Sequence, residues 1–341
     1  MANLTQISFF LRKWGIFAVL TTIVVLVVFF GGKSLLKIIF PVKPAPATVA
    51  FGKIPKLDFK AGFIPKSAVS YKIETISGDL PALLKEAKVI ATETGGIGFG
   101  TTDKIKARVA VLGFTNTPTD TGNGSLRFVD PKDNNRVLIA DAASGNFKLT
   151  GELQGQENLG SLGSQETVIN TARAFFNGFG LEDSQYPDSN VILRYFDLSD
   201  GKLVGVLSAK GAKLAEVRFY HGNIDGLASR QLREDEAYVK ALVSARQVIN
   251  AEMNIPNVAF YKYATYPLKG TIKAFEDLKA GLGAFSNNFE DSQFAIRDVV
   301  LAYLFASNEP YIQPIYVFKG ETGVDAYVAA VDDKWVNASG Q

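Results

Sequence analysis

An uninterrupted apolar run near the start of the chain constrains the fold more than any other feature. It extends from Trp14 to Gly32, contains no charged residue, and includes only two hydroxyl side chains, Thr21 and Thr22. As a helix rising about 1.5 Å per residue, residues 15–32 would span roughly 27 Å, which is close to the thickness of a membrane's hydrocarbon core. A soluble helix would have a polar face, and this run has none. The sequence therefore predicts a single N-terminal transmembrane helix at residues 15–32.

The residues that flank this helix indicate its orientation. Arg12 and Lys13 favour a cytoplasmic N-terminus, although three lysines between residues 33 and 43 weaken the charge difference between the two sides. No cleavage site with small residues follows the run directly, which favours a retained anchor over a cleaved signal peptide. We therefore expect a single-pass protein of the cell membrane, with the lipid bilayer as its partner at residues 15–32 and its body outside the cytoplasm.

The composition of the chain argues against several classes of chemistry. Residues 1–41 hold four basic residues and no acidic one, which leaves 32 basic and 34 acidic residues in the other 300. A nearly neutral body is a poor nucleic-acid binder, because neutralising phosphates supplies most of that affinity. The chain has no cysteine and one histidine, His221. Thiolate chemistry is therefore excluded, and a histidine metal site or a Ser-His-Asp triad is not expected. We predict no nucleic acid, no metal, no cofactor and no catalytic residue.

Beyond the apolar run, the sequence predicts a spacer and then a repeated unit. Repeated prolines in residues 33–65 favour an extended, semi-rigid stalk. Three helical patterns follow, starting near residue 102, after the N-cap Ser164, and at Thr271, where Ile272 would face the core. Each precedes alternating strands with turn residues between them, and QVINAEMN at 247–254 fits either a strand or a helix.

This order predicts an α+β body of tandem modules, each with one helix packed on an antiparallel β-meander. The expected boundaries are 1–14 for a short cytoplasmic tail, 15–32 for the transmembrane helix, 33–65 for a Lys/Pro-rich stalk, 66–158, 159–265 and 266–336 for the three α+β modules, and 337–341 for a tail.

Several stretches of the body resemble a known class of envelope domain. They are AFEDLKAGLG (274–283), IRDVVLAYLF (296–305), YIQPIYVFKG (311–320), AYVAAV (326–331) and the expected hairpin FYHGNIDGLAS (219–229). Together with the N-terminal anchor they resemble the ectodomains of YycH/YycI-type regulators and PepSY-like modules, although Ala228 stands where the hairpin of those modules usually has proline. The resemblance covers residues 160–335. It implies a non-enzymatic, regulatory or inhibitory extracytoplasmic domain, and it transfers no catalytic residue.

Five short motifs are better explained by structure than by chemistry. DTG at 120–122 lacks the apolar strand that an aspartic protease places before its aspartate, so we expect an exposed turn. GGKS at 31–34 and GGIGFG at 95–100 lack the spacing of nucleotide-binding loops. REDE at 233–236 does not alternate its oxygen ligands as a calcium loop does. His221 is expected to be a surface or hairpin residue, not a catalytic one.

The strands of the second half are rich in tyrosine. The candidate positions for a protein-binding face are Tyr261, Tyr263, Tyr303, Tyr311, Tyr316 and Tyr327. Tyrosine is enriched at protein interfaces, which supports that function. It also pairs across strands in ordinary sheet cores, and the sequence does not exclude this alternative.

Taken together, these patterns predict a single-pass, extracytoplasmic protein that acts without catalysis, as a regulatory or structural interaction ectodomain of the cell envelope. Its partner would be another envelope or membrane protein, and its oligomeric state stays open. Two alternatives remain: an envelope hydrolase that uses carboxylates alone, and a subunit of a secretion or surface assembly.

Overall fold

The computed structural model describes residues 47–65, 69–93, 101–122, 124–153, 159–233, 236–307, 309–321 and 323–337. The predicted transmembrane helix at 15–32 lies outside the described residues, as do the predicted cytoplasmic tail and residues 33–46 of the predicted stalk. Within the described ranges, no helix is long and apolar enough to cross a membrane. The described residues belong to one compact unit.

The described part of the chain contains three α-helices, eighteen strands and two short 3₁₀ helices, Asp188–Asn190 and Asp333–Trp335. The helices are α1 (Thr101–Val111), α2 (Gln165–Asn177) and α3 (Thr271–Lys279). The first nine strands are β1 (Ser70–Ile73), β2 (Glu86–Thr92), β3 (Thr119–Asp120), β4 (Ser125–Asp130), β5 (Asp133–Asp141), β6 (Phe147–Thr150), β7 (Val191–Ser199), β8 (Lys202–Val206) and β9 (Leu214–Phe219). The other nine are β10 (Ala228–Arg230), β11 (Val239–Ser244), β12 (Val248–Met253), β13 (Val258–Pro267), β14 (Ala284–Phe285), β15 (Gln293–Ile296), β16 (Asp298–Leu304), β17 (Tyr311–Lys319) and β18 (Asp325–Ala329).

The first lobe is a nine-stranded antiparallel sheet with α1 and α2 packed on one face. Its strand order is β3-β4-β5-β6-β12-β11-β9-β7-β8. Helix α2 begins at Ser164, whose side chain accepts a hydrogen bond from the backbone N–H of Thr167 and so satisfies a donor that the first turn leaves free. Its Phe175 and Phe176 enter the core, where Phe147 and Phe179 stack with ring centroids 3.8 Å apart.

The second lobe is a seven-stranded sheet with α3 against one end of it. The order is β10-β16-β17-β18-β14, and β2 joins this path by pairing with both β17 and β13. The central strand β17 is buried on both faces, with every residue from Ile312 to Phe318 buried. Strands β1 and β15 form a separate parallel pair beside it.

The predicted architecture of tandem helix-on-meander modules is wrong. The described fold is mostly β, and its strands pair across the predicted module boundaries. Strand β6 of the first predicted module pairs with β12 of the second, and β2 of the first pairs with β13 of the second and with β17 of the third. Hydrophobic periodicity identifies a strand but says nothing about distant pairing, so the sequence could not show that the modules merge into two sheets.

Individual elements agree better with the sequence. All three helices lie where the pattern placed them, and QVINAEMN contains a strand, β12. In α3, however, Ile272 is 70% exposed, whereas Ala274 and Leu278 are buried. The expected hairpin at 219–229 is reduced to a tight turn at Asp225 and Gly226, closed by an antiparallel bridge between Ile224 and Leu227. Its flanking strands do not pair with each other, because β9 belongs to the first lobe's sheet and β10 pairs with β16 in the second. The chain crosses from one lobe to the other in this segment.

Residues 47–65, the described part of the predicted stalk, pack into the second lobe. Ile54 is fully buried, and its N–H donates to the carbonyl of Trp335 over 2.9 Å. The side-chain amide of Gln313 in β17 donates to the carbonyl of Pro55. Leu57 and Phe59 are buried as well. Apolar residues between the prolines therefore attach this segment to the sheet, so it does not act as a free spacer.

Candidate functional site at the junction of the lobes

The only histidine of the chain lies where the backbone passes from the first lobe to the second. The carbonyl of His221 accepts hydrogen bonds from the side-chain amide of Asn190 (3.1 Å) and from the hydroxyl of Ser229 (2.7 Å). Its ring stacks on Phe305 with centroids 4.6 Å apart and meets Tyr186 edge-on at 5.3 Å. The residue is only 5% exposed. The sequence-based expectation of a surface histidine was therefore wrong.

The surroundings of His221 keep its ring neutral. Nδ1 lies 2.9 Å from the carbonyl oxygen of Gly222, and because a carbonyl only accepts, Nδ1 carries the proton. Nε2 is then an acceptor, and it is buried with no hydrogen-bond partner among the described residues. Burial lowers the pKa of His221, and the hydrogen bond to Gly222 opposes this only in part. A neutral ring enclosed by aromatic side chains is suited to packing the junction.

Two small cavities flank this ring. One, of about 320 Å³, is lined by residues that include Asn190, His221, Ser229 and Arg230. The other, of about 280 Å³, is lined by residues that include Tyr186, His221, Phe260 and Phe305. Both are near the lower limit for small-molecule sites, which occupy roughly 300–1,000 Å³. Either has room for a single side chain of a partner.

A strand irregularity places aromatic side chains beside the second cavity. Val258 of β13 pairs with Thr92 of β2, and Tyr263 pairs with Ile90. Between these two pairs β13 advances by five residues, whereas β2 advances by only two. The surplus residues form a bulge at the edge of the sheet. All four residues from Phe260 to Tyr263 are exposed, where a regular strand would turn every second side chain inward. We call residues 260–263 the aromatic bulge.

Polar neighbours hold the rings of the aromatic bulge. Tyr261 is 78% exposed, and its hydroxyl donates a 2.6 Å hydrogen bond to the carboxylate of Glu93. This hydrogen bond raises the pKa of Tyr261. The ammonium of Lys88 lies 4.2 Å from the ring centroid of Tyr263 and forms a 2.8 Å ion pair with Asp225. At the start of the bulge, the ring of Phe260 lies parallel to that of His221 with centroids 6.0 Å apart. The bulge is thus linked to the junction.

The six tyrosines named from the sequence do not share one face. Tyr303, Tyr316 and Tyr327 are buried in the second lobe. Tyr311 is half-buried, with its ring 5.1 Å from that of Phe51. The structure brings only Tyr261 and Tyr263 together at the surface. Phe260, which belongs to the same surface, was missed. The signal that could have found it is the run FYKY itself, in which aromatic residues interrupt the alternation of the strand.

Two described carboxyl groups have raised pKa values, but they do not form a pair. Burial raises the pKa of both Glu309 and Asp325. Glu309 precedes β17, and Asp325 pairs with Lys319 at the other end of that strand. Eight steps of about 3.4 Å each separate the ends by roughly 27 Å. Paired glycosidase carboxyls lie about 5–9.5 Å apart. These two groups therefore cannot act on one bond.

The remaining motifs add no chemistry to the site. Asp120 is the exposed last residue of strand β3, and its carboxylate accepts a hydrogen bond from the N–H of Gly122 in the turn that follows. Arg233 and Glu236 form an ion pair at 3.1 Å, and residues 31–34 and 95–100 lie outside the described residues. Across the described ranges, no group of three or more His, Asp or Glu side chains could hold a metal ion.

The fold and the site together define a two-lobed, mainly β protein with an exposed aromatic bulge beside the lobe junction. No protein family, curated protein or solved structure matches the chain. The resemblance of residues 160–335 to YycH/YycI-type and PepSY-like domains therefore stays a prediction.

Proposed function

We propose that this chain is a membrane-anchored, extracytoplasmic interaction module that acts without catalysis. It binds another envelope or membrane protein through the aromatic bulge. The apolar run at residues 15–32, which the sequence predicts to be an anchor, supports this proposed placement at the membrane. The observation that carries the proposal is the run of four exposed residues at 260–263, three of them aromatic, on a strand whose one other aromatic residue, Tyr266, is buried.

The physical argument concerns the free energy of binding. Large rings that remain in water are the side chains that contribute most when a partner covers them. Tyr261 is already held by Glu93 and Tyr263 by Lys88, so these rings lose less conformational entropy on binding than free side chains would. The adjacent cavity of about 280 Å³, next to Phe260, has room for one side chain of the partner. Bulge and cavity together form a contact surface with a pocket at its Phe260 end.

The location can be tested because the chain has no cysteine. Ile139, which is 43% exposed on β5, is replaced by cysteine in the full-length protein. We expect a membrane-impermeant maleimide to label this thiol on intact cells as well as after lysis. Labelling only after lysis, while a known surface thiol is labelled throughout, would contradict the extracytoplasmic placement.

Binding can be tested with a photo-crosslinking amino acid at position 261, again in the full-length protein in its native cells. We expect a protein adduct from position 261 that is absent when the same group replaces Ile139. Tyr263→Ala, introduced into the position-261 protein, should weaken the adduct, while the stability changes by no more than about 0.5 kcal/mol, as is usual at exposed sites. Identical adduct patterns from positions 261 and 139 would overturn the proposal. A partner that co-purifies at fixed stoichiometry would indicate an assembly subunit.

A further inference from the structure

The two edges of the nine-stranded sheet differ in how they are protected. Soluble proteins protect sheet edges with short strands, charges or bulges, because an open edge pairs with other chains. Strand β3 has two residues, one of them the exposed Asp120. Strand β8 has five residues and no charge after Lys202. Among the described edges of the seven-stranded sheet, β10 and β14 have three and two residues and β13 carries the aromatic bulge. Among the described edges of these two large sheets, only β8 lacks such protection.

The edge of β8 also exposes apolar side chains. Leu203 is 40% exposed and Val204 is 47% exposed, and Leu207, directly after the strand, is fully exposed. Three such residues within five positions are unusual beside open backbone groups. Their exposure in a single copy suggests that another strand covers them.

The hairpin that ends in β8 determines which backbone groups are free. Asp200 and Gly201 form its two-residue turn with φ values of 51° and 72°, as a type I′ turn requires. Ser199 and Lys202 then exchange hydrogen bonds across the hairpin, and the pattern alternates along the strands. Consequently Leu203 and Gly205 direct their N–H and C=O groups away from β7, toward the open edge.

We propose that β8 pairs antiparallel with β8 of a second copy of this chain, about a two-fold axis at Gly205. In this register Gly205 faces itself, Val204 faces Val206 of the second copy, and Leu203 faces Leu207. The outward N–H and C=O groups are then those that pair. Each exposed apolar side chain of the edge meets another apolar side chain, which is the arrangement that stabilises strand pairs.

The charges near the edge favour this partner over an unrelated strand. Residues 203–207 carry no charge, so like charges do not meet across the axis. The same register brings the Asp200 end of one copy toward the Lys210 end of the other, and both side chains are exposed. Self-complementarity of this kind is what a two-fold contact requires. The contact is smaller than the roughly 1,200–2,000 Å² of stable interfaces, so the dimer forms at high local concentration.

Cysteine crosslinking in the full-length protein tests the contact, because the chain contains no other thiol. A Cβ at Gly205 would meet no atom within 4 Å, so Gly205→Cys fits the single copy. Directly opposed residues of a hydrogen-bonded antiparallel pair have Cα atoms about 5.5 Å apart, which lies within the range for disulfides. Under mild oxidation we expect a covalent dimer from Gly205→Cys and none from Ile139→Cys, the matched control on a central strand.

A second pair of variants tests the register and the symmetry. Gly205→Asp and Gly205→Lys each place like charges at the axis, so each variant alone should lose self-association, and a mixture of the two should regain it. If Gly205→Cys crosslinks no better than the control, or crosslinks to a different protein, the proposal is overturned. Unchanged self-association of both charge variants would overturn it as well. The aromatic bulge lies in the other lobe, so failure here leaves the proposed function standing.

Discussion

The two lobes of this protein are assembled from the chain in different ways. In the first lobe, β3 to β6 follow one another in the sheet as they do in the sequence, and β7 pairs with β8 and β11 with β12 through short turns. In the second lobe, β2 lies between β13 and β17, more than 160 residues away along the chain. Both sheets contain local hairpins, including β16-β17-β18 in the second lobe, and the first also has one distant pair, β6 with β12. The second sheet depends more on distant segments, because β2 joins β13 and β17 from far along the chain.

The helices of the two lobes are also held by different forces. Helix α2 has a side-chain N-cap at Ser164 and buries Phe175 and Phe176. Helix α3 begins at Gly270 without a side-chain cap, and among its buried residues is a carboxylate, Asp277. The ammonium groups of Lys269 and Lys273 each lie 2.8 Å from Asp277. A side-chain cap and apolar packing hold α2, whereas α3 adds a buried charge network to the packing of Ala274 and Leu278.

The largest expected effect comes from breaking that charge network. The side chains of Asp277 and Lys269 are 5% and 7% exposed. Although burial acts to raise it, hydrogen bonds from Lys269 and Lys273 hold the pKa of Asp277 below its usual value. Asp277→Ala leaves Lys269 with only the exposed Asp333 as a described partner. We expect a loss of about 3 kcal/mol in the free energy of unfolding, at the lower end of the range for buried pairs, measured by urea denaturation.

Lys273→Ala is the matched control for this experiment. Its side chain is 49% exposed, and exposed ion pairs contribute about 1 kcal/mol or less. If the two variants lose the same stability, burial of the charge does not determine the strength of the network. The contrast between the two helices would then not hold.

In both lobes, local patterns in the sequence predict single elements better than they predict the pairing of distant strands. Alternation and turn residues located β4, β5 and β17 and all three helices, because these signals are local. Strand β2 was missed, since a short apolar run between polar residues does not reveal that it will pair with β13 and β17. Ile272 was expected in the core because the helical period favours it, but α3 instead turns Ala274, Asp277 and Leu278 inward. The buried carboxylate shifted the apolar face that the pattern suggested.

Only part of the candidate site could be predicted from the sequence, for a related reason. Tyrosine content identified Tyr261 and Tyr263, but it could not distinguish them from Tyr303 and Tyr316, which occupy buried positions on β16 and β17. The distinction depends on the bulge in β13, whose register is set by the missed strand β2. His221 was expected at the surface because its segment resembled a hairpin. The crossing between the lobes buries it instead.

His221 provides the second prediction, because it lies between the two lobes. Its pKa is lowered by burial, so between the folded and unfolded pKa values the unfolded chain binds the proton more readily. The contribution of the neutral ring to the free energy of unfolding is therefore complete above a pH of about 6.5, and it is lost as the pH falls below that value. As the pH falls below this value, we expect the free energy of unfolding to decrease by at most about 1.4 kcal/mol per pH unit.

Denaturant titrations of wild type and His221→Phe between pH 8 and pH 5 measure this contribution. Phenylalanine keeps the stacking on Phe305 and cannot be protonated. The free energy of unfolding of the variant should therefore no longer decrease with pH just below a pH of about 6.5. Glu182 and Arg230 line the two cavities beside the ring with opposite charges. An unchanged slope in His221→Phe would show that another group titrates, and the junction would not be sensitive to pH.

The smallest expected effect concerns the cap of α2. Ser164→Ala removes the acceptor for the N–H of Thr167, which should cost about 1 kcal/mol, within the usual range for N-caps. Ser161→Ala, at an exposed position just before the helix, is the control and should change stability by less than about 0.5 kcal/mol.

Combining Ser164→Ala with Asp277→Ala then tests whether the lobes unfold together. The two sites share no described partner, so in one cooperative transition their losses should add to within about 0.5 kcal/mol. Two separate transitions, each shifted by only one substitution, would mean that the lobes are energetically independent in spite of the junction at His221.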